Sequence, residues 1–170
     1  MKITAFTDGS AVASGKNKGL GGFGAVICEG EKERYFSKGY SNTKTGRMEI
    51  MALLCVLNLV SDNVSLLVYS DSQYVVNAFN KFWLKKWQKE NWIKSTGEEV
   101  KNKDLWKKIQ IQLDLKPNLR LIMQHIKGHQ IDKAQKSERA NLLTDPIIRG
   151  NAKADLLADY KRHKKYTKDE

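Results

Sequence analysis

Lys2-Ile3-Thr4-Ala5-Phe6-Thr7-Asp8-Gly9-Ser10 alternates polar and apolar residues and then meets Asp-Gly-Ser, so Lys2–Thr7 reads as a short strand closed by a turn. Working outward, Ala11–Leu20 holds Gly15, Lys16, Lys18 and Gly19 and reads as a loop. Gly21–Cys28 and Arg34–Ser41 are two further strands around Glu29-Gly30-Glu31-Lys32, which completes an antiparallel meander. Met48, Met51, Ala52, Cys55, Val56 and Leu59 then recur at helical spacing. Ser65–Ser70 is a compact apolar strand that ends at Asp71. Ser72–Asn80, Phe82–Asn91 and Asp104–Leu115 read as helices, Leu119–Ile126 as a fifth strand and Asn151–His163 as a last helix. Gln130–Gly150 is polar, contains Asp145-Pro146, and reads as a surface excursion with a short helix over Ala134–Leu143. This order predicts an α/β fold: a five-stranded mixed sheet flanked by helices. Residues 1–170 read as one domain, with no repeat and no linker.

Composition narrows the function classes. Hydrophobic residues make up 41% of the chain, enough for a packed core. No apolar run approaches the ~20 residues that a bilayer-spanning helix needs. Met1–Phe6 runs straight into strand-like sequence and has no secretory pattern. Cys28 and Cys55 sit in apolar segments without metal or disulfide spacing, and read as buried thiols. The expectation is a reduced, cytoplasmic protein with no membrane partner. Thirty Lys+Arg against nineteen Asp+Glu leaves a net charge of +11, a field that attracts polyanions.

Three acids stand where they are costly to leave unpaired. Asp8 ends the first strand, Asp71 ends the fourth, and Glu49 lies in the first turns of a helix among apolar neighbours. Singly, each has an ordinary explanation: a strand-end Asp serves a turn, and an acid near a helix N-terminus serves the dipole. His129, behind Gly128, is by itself an ordinary loop histidine.

The ordered set is another matter. Thr7-Asp8-Gly9-Ser10, Arg47-Met48-Glu49-Ile50-Met51-Ala52, Ser70-Asp71-Ser72-Gln73-Tyr74-Val75, Lys127-Gly128-His129 and Gly150-Asn151-Ala152-Lys153-Ala154-Asp155 follow one another in the chain. In this order they resemble the cellular type 1 ribonuclease H family, from about Lys2 to Ala158. The resemblance implies an endonuclease that hydrolyses the RNA strand of RNA–DNA hybrids by a two-metal-ion mechanism and leaves 5′-phosphate and 3′-hydroxyl ends. It implies that Asp8, Glu49, Asp71 and Asp155 are metal-binding carboxylates and that His129 is the catalytic histidine. The implied cofactor is Mg2+, with Mn2+ as a substitute, which agrees with a donor set of hard oxygens. A near-neutral imidazole suits proton transfer. The expected partner is the hybrid, with no obligatory protein partner and a monomeric enzyme.

The chain departs from the family pattern in two places. The loop after Asp8 lacks the family's Asn-Pro-Gly turn, so none of its residues is carried over. The gap between His129 and the last acid is also long. A shorter alignment would put Asn141, a neutral and poorer ligand, at the fourth position. Asp155 is preferred, which makes 130–150 an insertion and places Asp155 near the start of its helix.

Lys81–Trp92 interleaves aromatics and lysines. Trp83, Leu84 and Trp87 share one side of a helix as a core stripe. Lys85, Lys86 and Lys89 share another side and resemble the basic protrusion that grips the DNA strand in bacterial members. Trp83, at the head of this helix, is counted with the lysines as a candidate substrate contact. Gln73 matches a position that touches the hybrid's minor groove, and Thr43 and Thr45 are read as helping to seat a phosphate. The basic tail, 161–170, reads equally as a solvated helix end. Two other functions fit the same fold, a non-catalytic hybrid-binding module and a DNA-cutting resolvase or transposase relative. The complete acid set speaks against the first, and the basic helix with Lys127-Gly128-His129 against the second.

Overall fold

Residues 1–169 are described by a computed structural model, in which β1 (Lys2–Ala11), β2 (Gly21–Glu29) and β3 (Lys32–Ser41) form the antiparallel meander. β4 (Ser65–Ser70) joins β1 in parallel, and β5 (Arg120–His125) joins β4 in parallel. A sixth strand, β6 (Tyr166–Lys168), pairs in parallel with β3, so the sheet order is β5-β4-β1-β2-β3-β6. The helices are α1 (Thr45–Leu59), α2 (Gln73–Asn80), α3 (Trp83–Lys89), α4 (Lys103–Asp114), α5 (Gln130–Lys133), α6 (Lys136–Leu142) and α7 (Pro146–Ala158).

The two faces of the sheet follow strand alternation. Ile3 and Ala5 of β1, with Ala25 and Ile27 of β2, face the main core, to which α1, α2 and α4 contribute Leu53, Val56, Val75, Trp106 and Ile109. Phe6 and Val26 face the other way, onto Ala154 of α7. Gly24 belongs to this second face: a Cβ there would lie 2.2 Å from the Ala154 carbonyl, so α7 rests directly on the β2 backbone. Among the described residues no helix is long and apolar enough to cross a membrane, and both cysteines are free and half-buried.

Four expectations are corrected. The sheet has six strands, not five, because the open edge of β3 is covered by the tail. That tail is not a solvated helix end. α7 stops at Ala158, a 3-10 turn covers Tyr160–Arg162, and β6 leads to Asp169, whose backbone N–H donates to Ser41 O at 2.9 Å. The last helix begins at Pro146 rather than Asn151, because the Asp145 carboxylate caps the Ile147 N–H at 2.8 Å and proline occupies the first helical position. Finally, Asp8 lies inside β1, not at its end, because pairing with β2 continues through Asp8↔Gly24 to Ala11↔Gly21.

The short helix expected over Ala134–Leu143 corresponds to α6, and α5 precedes it. Of the α3 stripe, Leu84 and Trp87 pack into the main core, with Trp87 5.6 Å from Trp106 between ring centroids, while half-buried Trp83 lies beside Trp87 at 6.1 Å.

Candidate active site

The site forms where parallel strands stop. β4 pairs with β1 only as far as Thr7↔Ser70, and β5 pairs with β4 only as far as Ser70↔His125. Asp8, Asp71 and the Lys127-Gly128-His129 loop therefore follow immediately beyond the last paired residues. Crevices beyond the carboxyl ends of parallel strands are common ligand sites.

Asp8 shares the face of Phe6 and so points toward α7, which carries Asp155. It is 7% exposed, and its carboxylate accepts a local bond from the Gly9 N–H at 2.7 Å. Burial, then the charges of Asp71 and Asp155, raise its pKa from 3.8 to about 9. Gly9 faces α1, where a Cβ would fall 2.2 Å from the Glu49 backbone nitrogen. That close approach brings Glu49 beside the strand. The Glu49 pKa is raised by burial and by Asp71, against a 2.5 Å hydrogen bond from the Ser72 hydroxyl.

Asp71 is also raised, first by burial, with His129 opposing and Asp155 adding. Gly128 has a steric duty here: a Cβ on it would lie 2.1 Å from Asp71 Oδ2. The loop can therefore lie on the carboxylate only if that residue is glycine. His129 follows with φ 53° and is exposed. Its Nδ1 lies 3.2 Å from Asp155 Oδ2 and 3.2 Å from Asp132 Oδ2. Asp155 lies in the C-terminal half of α7, not near its start, so the helix's N-terminal donors do not compete for its carboxylate.

The structure thus brings Asp8, Glu49, Asp71, His129 and Asp155 together. Asn141 is exposed on α6. Gln73 is exposed at the first position of α2 and donates to Asn77 at 2.9 Å. Lys85, Lys86 and Lys89 are exposed on α3, with Lys85 5.6 Å from the Phe82 ring centroid, and Trp83 is half-buried. Thr45 is exposed and accepts from the Ala11 N–H at 3.1 Å. Thr43 is buried and donates to Asp169 at 2.6 Å, so its hydroxyl faces the tail rather than an incoming phosphate.

Ser72 was not singled out from the sequence as a site residue. Its signal is local: it precedes α2 and accepts from the Val75 N–H at 3.4 Å as an N-cap, which fixes the hydroxyl that reaches Glu49. Asp132 was also missed, although it stands three residues after His129.

Comparison with known proteins identifies the family and the fold. The RNase H family profile matches residues 1–162. Ribonuclease H of Lachnoclostridium phytofermentans is 38% identical over 160 residues, covering 91% of this chain and 97% of that protein. Ribonuclease HI of Haemophilus influenzae is 37% identical over 158 residues, covering 93% and 94%. Among solved structures, the RNase H domain of prototype foamy virus superposes with a TM-score of 0.66 at 28% identity, covering 92% of this chain and 91% of that one.

Proposed function

The chain belongs to the ribonuclease H family, and from that membership we propose that Asp8, Glu49, Asp71 and Asp155 hold two magnesium ions at which the RNA strand of an RNA–DNA hybrid is cut. Its function is that of a ribonuclease H, the degradation of RNA paired with DNA.

The observation that carries the residue assignment is the convergence of Asp8, Asp71 and Asp155, in which burial and the neighbouring acids raise the pKa of Asp8 and of Asp71 and no lysine or arginine among the described residues offsets this. Buried carboxylates normally pair with a cation. Here their repulsion and burial leave a need that hard divalent ions satisfy through oxygen ligands, and Mn2+ meets the same requirement as Mg2+. Held by these carboxylates, divalent ions would supply activation of water and neutralisation of charge on the phosphate and the leaving oxygen.

The protein's own groups orient the reaction. Ser72 holds Glu49 by its hydrogen bond. Gly128 lets the loop close over Asp71. With Nδ1 of His129 turned to carboxylates, Nε2 is left for proton transfer to the departing 3′-oxygen. Water oxygen bonds to phosphorus, the P–O3′ bond breaks, and the water proton is balanced on the 3′-hydroxyl, so the other product carries a 5′-phosphate. Gln73 reads the minor groove, where the RNA 2′-hydroxyls separate hybrid from DNA duplex. Lys85, Lys86 and Lys89, with Trp83 beside them, seat the DNA strand's phosphates. Thr45 stands at the mouth of the β3–α1 loop as a further phosphate contact. All the acids come from one chain, which fits a monomer.

The deciding experiment is cleavage of labelled RNA–DNA hybrid, RNA duplex and DNA duplex with magnesium, comparing wild type with Asp8→Asn and Asp71→Asn. Both variants are expected to lose cleavage while keeping hybrid affinity. Near-normal turnover in either would remove the acid assignment. Replacing Lys85, Lys86 and Lys89 with Ala should weaken hybrid binding and lower its salt dependence by roughly one unit per lost phosphate contact. An unchanged salt titration would make α3 a solvated face only.

A further inference from the structure

We propose that residues 130–150 form a binding arm for the RNA strand, taking that strand's phosphates on Lys133 and Lys136 where α5 meets α6. This role rests on the ribonuclease H assignment and deepens it, because it divides the two strands of the hybrid between the two faces of the sheet. The arm is the stretch by which this chain departs from the family pattern, so no family residue stands in for it.

The fold sets the arm's position. Leu84 and Trp87 of α3 pack in the main core with α1, α2 and α4, on the face of Ile3 and Ala5. α7 covers the opposite face, on Phe6 and Val26, and α5 packs against α7. The acids stand at the strand ends, between the two faces. A duplex laid across those ends turns one backbone to each face. With its DNA backbone on the lysines of α3, its RNA backbone crosses the acids and runs out on the side of α7 and α5. His129 is the N-cap residue of α5, so the arm starts where the RNA is cut.

Charge points the same way. The three acids of the arm are engaged locally. Asp132 Oδ2 lies 3.2 Å from His129 Nδ1, Glu138 Oε2 accepts from the Gln135 N–H at 3.2 Å, and Asp145 Oδ1 accepts from the Ile147 N–H at 2.8 Å. Lys133 and Lys136 are exposed, and neither meets a carboxylate among the described residues. Lys94, Lys103 and Lys153, elsewhere on the surface, each meet a glutamate. α6 itself buries none of its seven residues. A helix this short is marginal by itself, and without a buried face it gains little from packing. A phosphate backbone supplies the counter-charge that the two lysines lack and a surface on which α6 can rest.

The test measures hybrid binding by fluorescence anisotropy, with the full chain carrying Asp8→Asn so that bound hybrid is not cut. The probe is a labelled RNA–DNA hybrid with duplex on both sides of the cut. Adding Lys133→Ala and Lys136→Ala should weaken binding about tenfold or more at physiological salt and lower its salt dependence by roughly two units. Neutral methylphosphonate linkages in the flanks of the RNA strand should weaken the parent and leave this variant almost unmoved. The same linkages in the DNA strand should weaken both alike. Lys133→Arg with Lys136→Arg should restore binding, because the charges are kept. An unchanged salt dependence in the alanine variant would overturn the arm. Failure of the arginine pair to restore binding would do the same, as would equal losses in parent and variant when the RNA strand is neutralised. If the parent shows no preference for hybrid over DNA duplex, the ribonuclease reading falls and the arm with it. If the parent prefers hybrid and the alanine variant binds as tightly, the arm alone falls.

Discussion

Asp8 and Asp169 are both buried acids, 7% and 5% exposed, and their surroundings are opposite. Asp169 is answered from within the protein. It accepts from Thr43 Oγ1 at 2.6 Å, from Arg47 Nε at 2.6 Å and from Arg47 Nη2 at 2.8 Å. Arg47 is in turn bidentate to Asp104, at 3.0 and 2.8 Å, and the two carboxylates, Asp104 foremost, hold the guanidinium above its ordinary pKa. Asp8 is ringed by other acids and keeps one short local donor. A buried acid with its own cation ties elements together, here α1, α4 and the tail. A buried acid without one is left to hold a proton or to take a cation from outside.

The comparison is broken most directly by removing each charge. Asp8→Asn should cost several kcal/mol of transition-state stabilisation, roughly a thousandfold in cleavage rate, while Asp169→Asn should leave the rate within a few-fold below its melting temperature. Comparable rate losses in the two variants would erase the distinction. Stability should move the opposite way. Asp169→Asn breaks one side of a buried ion pair and should lower stability by about 2–3 kcal/mol, read as a fall in Tm of roughly 4–12 °C. Asp8→Asn should raise the Tm of metal-free protein.

The pH dependence sharpens the same contrast. The Asp8 pKa is raised from 3.8 to about 9, so the folded state holds a proton that the unfolded chain releases. Its contribution to stability is complete below about pH 4 and is lost as pH rises toward about 9. Metal-free protein should therefore lose Tm across that window, and Asp8→Asn should flatten the slope. Differential scanning measurements with chelator at several pH values check this, and parallel slopes in the two proteins would refute the crowding of acids. The smallest expected effect is Thr43→Val, which takes one of the donors from Asp169. It should cost about 1–2 kcal/mol by chemical denaturation and leave cleavage unchanged.

The elements that carry the candidate acids were legible because their signals are local, whereas the acids themselves stood out only as an ordered set. Strand alternation followed by Asp8, the apolar run ending at Asp71, and the helical period around Glu49 each lie within about one element, so position in the chain translates into position at the sheet's end. The glycines were visible as letters, but their purpose was not. That Gly128 clears Asp71, and Gly24 clears α7, depends on which surfaces meet. Asp155 could be chosen over Asn141 by its motif, yet its place far along α7 followed from the Asp145-Pro146 start, a capping signal that the sequence contains.

By itself the sequence determined the α/β order and the basic helix, because hydrophobic period and residue type act over a few neighbours, while Asp8, Glu49 and Asp71 stood out only through the ordered set of motifs around them. Only the tertiary structure decided the tail. Asp169 meets Thr43 and Arg47 across separations of 126 and 122 residues, and β6 is three residues long, too short to announce itself as a strand. Lysine-rich composition around it favours solvent. An open edge on β3 and a guanidinium held in place by Asp104 favour docking, and those partners exist only once the rest of the chain has folded.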